Sequence, residues 1–185
     1  RVGHGPVIET SLRVPSGDVV HTVYPAVVPG GMATVIEIAN DSPVPVALAI
    51  AFRPFTVDGP AVGDGAERRF AFSGDELVQA NGQPALQLPR RPNEVGGSAD
   101  VDLLNTVNEG QPLAWQEPVV GPSANVVCLY PLPHGTSLRF AVPGPGITNL
   151  ALDGLPDAAS AARGWSVVVD RASSYQFPDS GLTDL

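Results

Sequence analysis

The stretch Met32–Phe52, MATVIEIANDSPVPVALAIAF, decides how this chain folds. In its first arm Thr34, Ile36 and Ile38 alternate with Val35, Glu37 and Ala39. In its second, Val46, Leu48, Ile50 and Phe52 alternate with Ala47, Ala49 and Ala51. A period of two places successive side chains on opposite faces of a β-strand. Between the arms, Asn40-Asp41-Ser42-Pro43 carries turn chemistry, because Asn and Asp bond to nearby backbone and Pro fixes φ. The expected unit is strand, turn, strand. The second arm is apolar on both faces, which predicts a central strand with a second layer packed closely over the alanines.

Outward from this unit the same signals recur. Pro6–Val14 alternates Ile8, Thr10, Leu12 and Val14 with Glu9, Ser11 and Arg13, and Pro15-Ser16-Gly17-Asp18 then turns into Val19–Val28. Thr56–Glu67 reads as a surface loop, and Arg68–Phe72, Glu76–Gln79 and Ala85–Leu88 as short strands, the last two joined through the hairpin signal Asn81-Gly82. Asp100–Leu104 reads as a further strand, and Ala124–Leu132 and Ser137–Val142 as two more. Pro156–Arg163 has the pattern of a helix, with Asp157 in its first turn and Gly164 past its end, and Trp165–Asp170 that of a strand. The expected fold is all-β, a two-layer antiparallel β-sandwich with one short helix, over residues 1–172.

Composition excludes several functions. The chain has 185 residues, enough for one domain with a proper core, and its 20 Pro and 20 Gly fall at strand ends. A net charge of −9 repels nucleic acid and anionic membrane surfaces. No window is long and apolar enough to span a bilayer, so neither nucleic acid nor membrane is an expected partner. The single cysteine, Cys128, sits among apolar residues and reads as a buried core residue, which points to a reducing, cytoplasmic setting. All ten basic residues are arginine. The absence of lysine excludes a P-loop, a pyridoxal phosphate Schiff base and a Ser-Lys dyad within this chain. The arginine bias, with abundant Ala, Val, Gly and Pro, points to a bacterial source.

Candidate sites are few. His4, His21 and His134 have no second ligand at metal spacing, so no metal and no cofactor is expected. Asp100 and Asp102 would share a face of a strand, but spacing alone does not set acids across a cleft, and no residue is assigned as catalytic. Glu37 lies mid-strand on a covered face, where Arg13 or Arg53 would pair with it. Trp165 reads as core. Trp115, in the loop-rich PLAWQEP, is the best candidate for stacking on a sugar, although a plug over the sandwich edge is the commoner role for such a residue. Arg90, Arg91 and the irregular segment Asn93–Glu117 complete the candidate carbohydrate site.

The phrases PVIETSLRVPSGDVVHTVYPA, NDSPVPVALAIAFRPF, PALQLPRRP and CLYPLPHGTSLRF, taken in order, resemble the N-terminal β-sandwich of bacterial six-hairpin glycosidases. These are the glucoamylase-like and trehalase-like proteins of glycoside hydrolase family 15 and their relatives. The resemblance covers most of the chain and rests on strand phrases, not on a catalytic motif. It implies a supersandwich that precedes a linker, here starting in residues 173–185, and a helical (α/α) barrel that carries the catalytic glutamates. The expected partner is therefore that barrel, and the expected role is non-catalytic support, with a loop contributed to a carbohydrate site. A stand-alone carbohydrate-binding module is the alternative; a self-contained sugar epimerase would need histidine and glutamate partners in a concave face.

Overall fold

The computed structural model describes residues 5–53, 55–56, 59–60, 67–148 and 150–171, with backbone alone at 55–56 and 59–60. Three strands open it as a meander: β1 (Ile8–Val14), β2 (Gly17–Val28) and β3 (Gly31–Asn40). There follow β4 (Val46–Phe52), the minimal hairpin β5 (Phe55–Thr56) and β6 (Gly59–Pro60), then β7 (Arg68–Ser73), β8 (Leu77–Ala80) and β9 (Gln83–Gln87). The remaining elements are β10 (Glu94–Ser98), α1 (Leu103–Asn108), β11 (Val119–Gly121), β12 (Asn125–Leu132), β13 (Ser137–Pro143), a 3-10 turn at Leu152–Gly154 and α2 (Ala158–Arg171). The expected loop over Thr56–Glu67 falls largely outside the described residues, as do residues 173–185.

The fold is an antiparallel sandwich of unequal layers. One sheet has eight strands in the order β1-β2-β3-β13-β9-β8-β7-β11, and the other three, β10-β12-β4. Between them lies a core of Ile38, Phe70, Val78, Leu86 and Phe140 from the large sheet against Val126, Cys128, Tyr130 and Leu132 of β12. Val46, Leu48, Ile50 and Phe52 of β4 close it from the side. The large sheet has a second core on its back, where Tyr24, Ala26, Ala33, Val35 and Ala141 pack against Ile147, Leu150 and Leu155 of the C-terminal segment. Strand β3 is thus covered on its back and, from Ile36 to Asn40, on its front as well. Mid-strand on the back, Glu37 accepts from Arg139 Nε at 2.6 Å and from the Tyr24 hydroxyl at 2.8 Å. Burial, and next the bond to Glu37, push the Tyr24 hydroxyl well above the ordinary tyrosine range, so it stays a donor.

Several expectations are corrected. The two arms of Met32–Phe52 are strands but not a hairpin: β3 pairs with β2 and β13 in the large sheet, whereas β4 pairs with β12 in the small one. Strand β4 is an edge, and its alanines face outward. Its large side chains fill the inter-sheet core while α1 lies against the outer face. Glu37 pairs with Arg139; Arg13 and Arg53 instead reach Asp18 at 2.9 Å and Asp102 at 3.2 Å. Asp100–Leu104 is not a strand, because Asp102 caps α1 by accepting from the Leu104 N–H at 3.1 Å. Finally, Trp165–Asp170 continues α2. Asp157 accepts from the Ser160 N–H at 2.7 Å and starts the helix, and propagation through the valines is easier than nucleating a new element. Trp165 is consequently 43% exposed and not core.

Two buried asparagines fix the crossings between layers. Asn40, with no exposed surface, donates to the carbonyls of Val44 at 2.8 Å and Leu132 at 2.9 Å, and accepts from the Ser42 N–H at 3.0 Å. It thereby joins the β3–β4 crossover to the β12–β13 crossover. The turn is held further by the Gly135 N–H on the Asn40 carbonyl and the Asp41 N–H on that of Asp18. Gly17 lies so close that an added Cβ would sit 2.4 Å from Ser42 Cα. Asn125 does the same at the other end of β12, donating to the carbonyls of Ser98, Val101 and Ser123 and accepting from the Leu103 N–H.

Asn40→Ala takes the side-chain partner from the Leu132 carbonyl and the Ser42 N–H in the interior, while the Val44 carbonyl keeps the Ser42 hydroxyl at 3.1 Å. At roughly 1–3 kcal/mol per buried group, urea unfolding should show a loss of about 2 kcal/mol or more. Exposed Asp41→Ala, beside it, should stay within about 0.5 kcal/mol of the parent. Cys128 is fully buried and its thiol is pushed up to about 12 by desolvation. Its reaction with a disulfide reagent at pH 8 should therefore wait for unfolding and accelerate with denaturant in step with the loss of structure.

Candidate functional site

The irregular segment after α1 folds back over the small sheet. The Gly97 N–H donates to the Ala114 carbonyl at 2.9 Å, so residues 113–115 cover the free edge of β10. Two glycines make the approach possible. A Cβ on Gly96 would lie 2.9 Å from Leu113, and one on Gly97 would lie 2.3 Å from Val119 and 2.7 Å from the Trp115 ring. The Gly96-Gly97-Ser98 phrase, inside the segment expected to be irregular, belongs to strand β10, stripped of side chains to admit this cover. Trp115 packs edge-on against Phe72, with ring centroids 5.1 Å apart and planes at 86°, and joins the inter-sheet core. It has the plug role, with part of its ring left open.

That open part lines a cleft of about 190 Å³ bordered by Phe72, Asp75, Arg91, Val95, Trp115 and Glu117. Glu117 accepts from the Phe72 N–H at 2.8 Å, which fixes its carboxylate at the rim. Arg91 faces Asp75 at 3.7 Å, both side chains mostly exposed, so the pair adds little to stability and is free to exchange partners. The volume is below the roughly 300–1,000 Å³ of sites that enclose a small molecule, so the cleft has room for one ring-sized group. It combines an aromatic edge, a guanidinium and two carboxylates. Such a set can hold a polyhydroxylated ring by hydrogen bonds and apolar contact.

Of the expected site residues, Trp115 and Arg91 meet here and Arg90 does not. Arg90 lies on Tyr130, its guanidinium 5.2 Å from the ring centroid, and donates to Asn93 at 2.8 Å. Its carbonyl accepts from the Tyr130 hydroxyl at 3.1 Å, and burial raises that hydroxyl well above its ordinary range. Arg90 therefore has a packing role. Phe72 and Asp75 were not expected at the site, whereas Glu117 ends the irregular segment that was. The signal for Glu117 was its spacing of two from Trp115 along an extended stretch, which sets both on one side. Of the histidines, His21 is exposed on β2, the His134 Nδ1 lies 2.7 Å from the Ser42 carbonyl, and His4 is outside the described residues. Among the described residues no three His, Cys, Asp or Glu side chains gather as metal ligands, and no helix is long and apolar enough to cross a membrane.

The chain matches no family model, no curated protein and no solved structure.

Gly97→Ala should drive its methyl into Val119 and the Trp115 ring and cost about 1–3 kcal/mol. Fluorescence quenching by acrylamide should report the displacement as increased access to the indole in a Trp165→Phe background, where Trp115 is the only emitting indole. An unchanged quenching constant would mean that the two glycines are not what admits Trp115.

Proposed function

We propose that this chain is the non-catalytic β-sandwich domain of a glycoside-hydrolase-like protein, which supports a helical catalytic domain and lends one rim to its carbohydrate site. The observation that carries this reading is the apolar stripe of α2. Ala158, Ala161 and Ala162 pack on the back core, and at the same helical spacing the stripe continues into Trp165, Val168 and Val169, which are exposed. A helix that leaves its own sheet with an apolar face showing is suited to join a helical neighbour. The strand phrases that resemble the six-hairpin glycosidases name the kind of neighbour. The cleft at Trp115 supplies the second support, because its groups suit a sugar ring and its small volume suits a shared rim more than a complete site. The same cleft, lying wholly within this chain, is what favours the alternative of an independent carbohydrate-binding module.

The coding frame beyond Leu185 separates the two. The helical-partner reading expects repeated amphipathic helices there, and Arg91→Ala in that longer product should lower kcat/KM on an α-glucoside about tenfold while its melting temperature holds, since Arg91 is exposed. A stop codon directly after Leu185 would overturn the reading. Calorimetric titration of this chain with trehalose and with a malto-oligosaccharide would then decide whether it binds sugar by itself.

A further inference from the structure

Sheet edges offer unpaired N–H and C=O groups to any passing strand, and folded proteins guard them. Three edges here are guarded. Strand β11 is three residues long between Pro118 and Pro122, β10 is covered at Gly97 by Ala114, and β4 is mostly half-buried. Strand β1 is different. It runs seven residues in unbroken register with β2, without proline or bulge, and all but the last are exposed. Val7, buried in the back core, holds its start in place. On the front face Ile8 and Leu12 are 60% and 66% exposed, next to Val27 and Met32 at 81% and 60%, and the aligned front positions Thr10, His21, Pro25, Thr34 and Val142 add no acidic or arginine side chain. The front surface beside this edge is therefore apolar and uncharged, and the two charges of β1, Glu9 and Arg13, lie on its other face.

We propose that β1 pairs antiparallel with β1 of a second copy of this chain, about a two-fold axis at Ser11. The register follows from the sequence. An antiparallel pair in which all of Ile8–Val14 overlaps sets Ser11 opposite Ser11, Ile8 opposite Val14 and Thr10 opposite Leu12 on the front face. On the other face it sets Glu9 opposite Arg13, twice by symmetry. Slipping by two residues towards either end breaks both charge pairs, and slipping by four sets Glu9 against Glu9 or Arg13 against Arg13. The register with the longest ladder is thus the one with complementary charge. Among the described residues Glu9 has no partner within its own chain, and Arg13, 80% exposed, bonds Asp18 through Nε and keeps its other nitrogens free for a carboxylate across the axis.

Sedimentation equilibrium from micromolar to high-micromolar protein tests this. The parent chain should populate a species of twice the chain mass, and Glu9→Arg should weaken the association about tenfold or more, because each axis-related pair becomes Arg against Arg. Arg13→Glu should do the same, although it also sets a glutamate beside Asp18, so Glu9→Arg is the deciding variant. An equimolar mixture of the two single variants should associate again, since each copy then supplies what the other lacks, and so should the double variant E9R/R13E. A parent chain that stays monomeric throughout overturns the proposal. So does a dimer indifferent to Glu9→Arg, which would place the contact on another surface such as α2, or a mixture that fails to recover.

Discussion

The side-chain amide of Asn40 is the constraint on which the two-layer arrangement depends. A strand that leaves one sheet for the other must expose backbone groups at the crossing, and at a buried crossing water cannot satisfy them. Here the chain crosses twice at the same place, from β3 to β4 and from β12 to β13. One amide bonds to both segments, using its NH2 on the carbonyls of Val44 and Leu132 and its carbonyl on the Ser42 N–H. A hydroxyl could not reach both crossings, and a carboxylate would set charge against two carbonyls. The position calls for a side chain with two donors and an acceptor on a short stem. With Asn40 in place, β4 is delivered to the small sheet with its large side chains inward, and the inter-sheet core follows.

This also explains what could and could not be read from the sequence. Local signals carried through: the alternation in β1 to β4, the helix start at Asp157, and the Asn81-Gly82 turn, whose residues both adopt positive φ as a tight hairpin requires. Pairing partners did not. Asn40-Asp41-Ser42-Pro43 has the same composition whether it closes a hairpin or bridges two sheets. What distinguishes them is a carbonyl at Leu132, 92 residues away from Asn40. The alanine face of β4 misled for a related reason. Small residues permit close packing but do not require it, and the larger side chains on the opposite face took the core.

The candidate site was half legible on the same grounds. Trp115 and Arg91 carried the right chemistry in the right segment, but the cleft draws on β7 of the large sheet and β10 of the small one, and only the fold brings Phe72 and Val95 to one place. Arg90 and Arg91 were indistinguishable as sequence. The structure separates them because neighbouring residues leave the backbone in opposite directions, so Arg90 takes the ring of Tyr130 and Arg91 the cleft. Gly96 and Gly97 were the overlooked signal. Paired glycines mark close backbone approach as readily as a loop, and here one approaching group is the tryptophan of the site itself.

The asymmetry of the layers carries one more consequence. An eight-stranded sheet covered in front by three strands must leave part of its front bare, and the back is closed only as far as the C-terminal segment reaches. Nothing in the composition compensates. The sequence has no lysine to line an edge, and it spends its arginines on specific partners: Arg139 on Glu37, Arg53 on Asp102, Arg13 on Asp18. Among the described residues most of the exposed apolar area therefore lies on the front of β1 to β3 and the outer half of α2. Such area is costly to leave in water, at roughly 25 cal/mol per Å². Among the described residues none covers it, because β1 is already at full register with β2 and the outer half of α2 lies beyond the back core. Because the two surfaces lie on opposite faces of the large sheet, a contact that covers one leaves the other open.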